Sequence, residues 1–140
     1  MLTPASLFDQ TALLARAERL VKAARAAGAD AADAVAVRGV SVGVEVRDGA
    51  VEESESAEGD DLGLRVLVGK RQAVVSTNDM SDAGTAALAE RAVAMARAAP
   101  EDKFAGLADT AELAKNFPDL DLMDGQMPSV AELEIGRAHV

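Results

Sequence analysis

The stretch VSVGVEVRDGAVEESESAEGDDLGLRVLVGKRQAVVSTND, residues 40 to 79, decides the fold. Val40, Val42, Val44 and Val46 alternate with Ser41, Gly43, Glu45 and Arg47, a period of two that turns one side of a strand toward a core. A one-residue slip would bury Glu45 and Arg47. Val42, Val44 and Val46 are therefore expected to face the helices, with the two charges facing away. Asp48-Gly49 reads as a tight hairpin turn, because both residues tolerate positive φ. Leu62, Leu64, Val66 and Val68 form a second one-faced strand, Gly69-Lys70 a second turn, and Arg71 to Thr77 a return strand. The segment Val51 to Glu58 alternates with little apolar weight, which places it at a sheet edge or in solvent, where its glutamates would discourage unwanted strand addition.

Outward from this meander, Leu13, Leu14, Ala17, Leu20, Val21 and Ala24 follow helical spacing with Arg16, Glu18, Arg19, Lys22 and Arg25 turned outward. This predicts a helix from Leu7 to Ala27 that Gly28 ends in a left-handed cap. Asp33 to Arg38 adds a first strand. A second helix is predicted over Ser81 to Ala99, with Ser81 as N-cap, Leu88, Ala92, Met95, Ala96 and Ala99 on its buried stripe, and Pro100 as its stop. Beyond Pro100 only a short helical turn at Thr110 to Lys115 is expected. The fold class is α/β of the α+β kind: a mostly antiparallel sheet meander packed against two main helices.

The order GVSVGVEVRDGAVEESESAEGDDLGLRVLVGKRQAVVSTND, then a helix, then FAGLAD at 104 to 109 and PDLDLMD at 118 to 124, resembles the N-terminal domain of the TldD/PmbA family, from about Val35 to Asp124. The last two pieces look more like the PmbA/TldE branch. The resemblance implies a cytosolic bacterial or archaeal protein linked to metal-dependent proteolysis, from a family once called modulators of DNA gyrase. It also implies a TldD-like partner subunit that carries the zinc-binding H-E-x-x-x-H helix, with unfolded or modified peptides as substrate. The zinc would be the partner's, and no cofactor is expected in this chain.

Composition bounds the chemistry. A chain of 140 residues with 49% hydrophobic content can bury a core, here built from Val, Leu, Ala and Met because the aromatics are only Phe8, Phe104 and Phe117. With no cysteine there are neither disulfides nor thiolate metal sites. No window approaches the roughly 18 apolar residues that span a bilayer, and the N-terminus lacks a basic flank followed by an apolar core. Cytoplasm is the expected compartment, without membrane association. A formal net charge of −10 argues against direct nucleic-acid binding, since phosphate contacts need clustered Lys or Arg.

The last residues, Ile135-Gly136-Arg137-Ala138-His139-Val140, spell the translation of a common sequencing adapter, and Glu134 can close on its preceding bases. The expected organisation is therefore a PmbA/TldD-like N-terminal domain at 1–124, the start of a truncated connection at 125–133, and adapter read-through at 134–140. His139, the one histidine, is excluded with that tail.

The candidate motifs weaken when their spacing is tested. A zinc protease site needs at least two neutral nitrogen ligands plus carboxylates, which this chain cannot supply alone. The run Glu52 to Asp61 lacks the ligand spacing and turn glycine of a calcium loop. Gly63 to Arg71, GLRVLVGKR, departs from a phosphate loop in glycine spacing and in placing Arg71 where Ser or Thr should hold magnesium. Ser41, Ser54, Ser56, Ser76 and Ser81 have no histidine partner outside the tail, so no serine triad is available. No catalytic, cofactor-binding or metal-binding residue is assigned. The expected function is a truncated, non-catalytic N-terminal scaffold domain of a PmbA/TldE-like subunit of a TldD/TldE-type metalloprotease. The alternative is a free-standing acidic protein-interaction module.

Overall fold

A computed structural model describes residues 9–122 and 128–135. Helix α1 (Gln10–Ala26) begins where the Asp9 carboxylate accepts from the Thr11 N–H at 3.0 Å, so Leu7 and Phe8 of the expected helix lie outside the described residues. It ends in a Schellman motif: Gly28 N–H donates to the Arg25 carbonyl and Ala29 N–H to that of Ala24, both at 3.0 Å. Gly28 adopts φ +104, a left-handed conformation that favours glycine.

Strands β1 (Ala31–Arg47), β2 (Ala50–Val68) and β3 (Arg71–Thr77) form one antiparallel sheet in that order. Both turns have two central residues. Asp48 and Gly49 are both at positive φ, the I′ pattern, whereas the second turn has positive φ only at Gly69, as II′ requires. Helix α2 (Asp82–Ala98) follows, its Ser81 Oγ accepting from Gly84 N–H at 3.0 Å. A last short helix, α3 (Val130–Ile135), is opened by a reciprocal Ser129–Glu132 cap and lies against β1.

The core lies between one sheet face and the two long helices. Cross-strand rows run Ala32–Val66–Ala73, Ala34–Leu64–Val75 and Ala36–Leu62–Thr77. Leu20 and Ala24 of α1 and Leu88, Ala89, Ala92, Val93 and Ala96 of α2 close over them. Each fully buried Leu or Val, such as Leu20, Leu62, Leu64 and Val66, contributes about 1.5–3 kcal/mol of transfer free energy. The α+β class and the antiparallel meander hold as expected.

Four local expectations need correction. Val51 to Glu58 and Leu62 to Val68 are one continuous strand of 19 residues, because Gly59, Asp60 and Asp61 pair with Gly39, Arg38 and Val37 instead of turning. Val42 and Val44 are on the helix-facing side but only half-buried, and Val46 is 44% exposed: a bulge between Glu45 and Val46 leaves Glu52 as an extra residue and breaks the alternation. On α2 the buried stripe includes Ala89 and Val93, while Met95 is 47% exposed. The short helical turn expected over Thr110 to Lys115 is a turn confined to 110–112, held by Glu112 N–H to the Asp109 carbonyl at 2.9 Å.

Candidate functional site

At the end of the last apolar row, Ala36–Leu62–Thr77, the next cross-strand pair on the same face is Arg38–Asp60. Arg38 donates to the Asp60 carboxylate through Nε at 2.6 Å and Nη2 at 2.7 Å, and Arg16 of α1 donates to the same group. The three side chains are 14%, 19% and 26% exposed in the order Arg38, Asp60, Arg16, so this is a half-buried ion triad that ties α1 to the middle of the hairpin. The Arg38 hydrogen bond, aided by Arg16 and opposed by burial, holds the Asp60 carboxyl down at about 2. Arg38 is pushed above its ordinary value, chiefly by that same bond. Beside it lies an open cleft of about 400 Å³ lined by Arg38, Glu58, Gly59, Asp60 and Asn78.

Sequence spacing turned Arg16 outward and grouped Asp60 with an acidic run. The missed signal is parity: Arg38 and Asp60 occupy inward-facing positions once both strands are continuous. The rest of the run disperses. Glu52 pairs with Arg47 at 2.9 Å, Glu53 faces Glu45 across the ladder, and Asp61 faces Val37 on the opposite side of the sheet. Ser41, Ser54, Ser56 and Ser76 sit opposite Ala57, Val44, Val42 and Gly63, and Ser81 is the α2 cap. Lys70 spans the second hairpin turn, its Nζ donating to the Ala105 carbonyl at 3.2 Å. His139 lies outside the described residues.

Among the described residues no group of three or more His, Cys, Asp or Glu is placed to hold a metal ion. The zinc implied by the family resemblance does not fit the described residues, which offer neither imidazole nor thiolate and whose Asp33, Glu52 and Asp60 carboxylates are paired with arginines. No helix among them is long and apolar enough to cross a membrane.

A further feature is a groove along the edge of β1 that β2 does not pair. Leu14, Ala17 and Val21 of α1 make one wall and Ala32, Ala34 and Ala36 the floor, in two contiguous sections of about 470 and 500 Å³. Lys22 and Arg25 stand at the Ala32 end, Gln10 and Arg38 at the other.

A meander backed by helices on one face, with an ion triad closing the end of its apolar rows, defines a two-layer α+β domain. The chain carries the first domain of the PmbA/TldD family: residues 32–96 match the family model for PmbA/TldA metallopeptidase domain 1. It is 35% identical over 103 residues to the metalloprotease PmbA homolog of Haemophilus influenzae, covering 73% of this chain and 22% of that protein. Its fold matches the crystal structure of a Bacteroides thetaiotaomicron protein described as a candidate modulator of DNA gyrase. The TM-score is 0.69 at 22% identity, over 85% of this chain and 25% of that one. The chain thus spans about a quarter of the length of these relatives.

Proposed function

We propose that this chain is the N-terminal scaffold domain of a PmbA/TldE-like subunit in a TldD/TldE-type metalloprotease. It contributes fold and contacts, and no catalytic group. The observation that carries the reading is the match of residues 32–96 to the first metallopeptidase domain in a sequence with one histidine and no cysteine. Zinc chemistry then belongs to a TldD-like partner, which would cleave unfolded or modified peptides in the cytoplasm. The identity to a PmbA homolog supports the PmbA/TldE side of the pair.

The test is metal analysis and peptide hydrolysis on the purified chain, alone and with a TldD-like subunit, together with co-purification of the two. The chain alone is expected to retain no stoichiometric zinc and to leave an unfolded peptide intact, while co-purifying with the partner. One tightly held zinc per chain, or hydrolysis without the partner, would sink the assignment. Failure to co-purify would favour a free-standing acidic interaction module.

A further inference from the structure

We infer that the distal part of the β1–β2 hairpin, residues 40–58, is a hinged arm that bends about the directly opposed pair Gly39–Gly59, toward the sheet face the helices leave open. The support around the hairpin ends at this pair. On its body side, Arg16 and Arg38 hold Asp60 and so clamp the hairpin to α1. β3 pairs β2 only as far as Thr77 opposite Leu62, so from Asp61 to the tip the ladder has two strands, an assembly that by itself is marginally stable in water. Burial falls off at the same place: Leu62 and Leu64 are 1% exposed, whereas every β2 residue from Glu52 to Gly59 is exposed.

Neither glycine serves a turn or a bulge. Neither is at positive φ, and the register runs unbroken through both, its one shift between β1 and β2 lying at Glu45/Val46. A strand glycine of that kind marks a bend or the close approach of another backbone. A Cβ on either residue would meet nothing within 4 Å, and both lie on the open face that Val37 and Asp61 share. The bare pair leaves a shallow depression of about 300 Å³ bounded by Val37, Ser41, Ala57 and Asp61, into which the arm bends with no side chain in its way. At about 3.3 Å per residue the turn at Asp48-Gly49 lies about 30 Å beyond the pair, so a bend of about 20° carries it about 10 Å. The inference is independent of the metallopeptidase reading.

The chain has no cysteine, so Ala50→Cys at the tip and Glu90→Cys on α2, both at exposed positions, provide the only attachment points for a pair of nitroxide labels. Double electron–electron resonance then reads the tip-to-body distance distribution, with Gln72→Cys in place of Ala50→Cys as the reference pair within the body. The tip distribution is expected to be broader than the reference. Gly39→Val together with Gly59→Val should narrow it by about half, because stiff, strand-favouring side chains replace the bare pair. Gly39→Ala with Gly59→Ala should narrow it in the same direction by less, and circular dichroism confirms that each variant is folded. Gly43→Val, on the same face but opposite Glu55 inside the arm, should leave the width unchanged. A wild-type tip distribution as narrow as the reference would overturn the inference and favour close approach of a partner's backbone at the glycine pair. A width indifferent to the paired substitutions, or narrowed equally by Gly43→Val, would overturn it as well.

Discussion

Asp60 joins β1, β2 and α1 through one side chain. It accepts from Arg38 across the ladder and from Arg16 on α1, at the boundary where the apolar rows stop. Because its folded-state value is depressed, from 3.8 to about 2, the stability it contributes is fully present above 3.8 and is lost as pH falls through about 2. Asp60→Asn should therefore lower stability at neutral pH by about 1 kcal/mol, a figure held small by the triad's partial exposure. The variant should also lose less stability than the parent between pH 5 and pH 2, an order-of-magnitude window set by those carboxylate values. Urea denaturation across that range checks both. The Asp79 carboxyl is also held low, chiefly by the Ser81 side chain and then its backbone, so some acid sensitivity should survive in the variant.

At the scale of the element, the long hairpin divides into two environments along one face. Leu64 is 1% exposed in the helix-covered half, whereas Val44 is half-buried toward the tip. Leu64→Asp should abolish folding, since an unpaired buried carboxylate costs several kcal/mol against a total of about 5–15. Val44→Asp should cost only about 1–2 kcal/mol and leave a cooperative melt. Thermal unfolding by circular dichroism separates the two, and equal loss in both would place the tip inside the core. In the same hairpin, Glu45 and Glu53 stand opposite each other, and like charges so placed are unfavourable. Glu53→Lys should raise the stability by a few tenths of a kcal/mol, up to about 0.5, measured the same way.

For the whole molecule, charge is the dominant long-range term. The chain carries 24 acidic against 14 basic side chains, and the hairpin tip concentrates Glu45, Asp48, Glu52, Glu53 and Glu55 near a single Arg47. Self-repulsion of this kind opposes the compact state and is screened once the Debye length falls to about 10 Å or less. The melting temperature should therefore rise between low salt and about 0.5 M sodium chloride. A fall would show that the Arg16–Asp60–Arg38 and Asp33–Arg65 pairs outweigh the repulsion.

Local chemistry was sufficient for much of this architecture. Asp48-Gly49 and Gly69-Lys70 turn where positive φ is tolerated, Ser81 caps because its hydroxyl reaches a free N–H, and Gly28 stops α1 because it lacks a Cβ. These are interactions between near neighbours, and the residues involved announce them. The family resemblance was also legible in the sequence, and residues 32–96 match the family model. The fusion of two expected strands into β2, the inward turn of Arg16, the bulge that frees Val46 and the exposure of Met95 were decided only by tertiary structure. Apart from the bulge, which Val51 sets by facing Val46 across the turn, each depends on a partner far along the chain: Arg38 and Arg16 satisfy Asp60, and the sheet selects which stripe of α2 is covered. Alternation can say that a strand has two faces. Which face lies beneath a helix, and for how many residues, is set by where that helix ends in space.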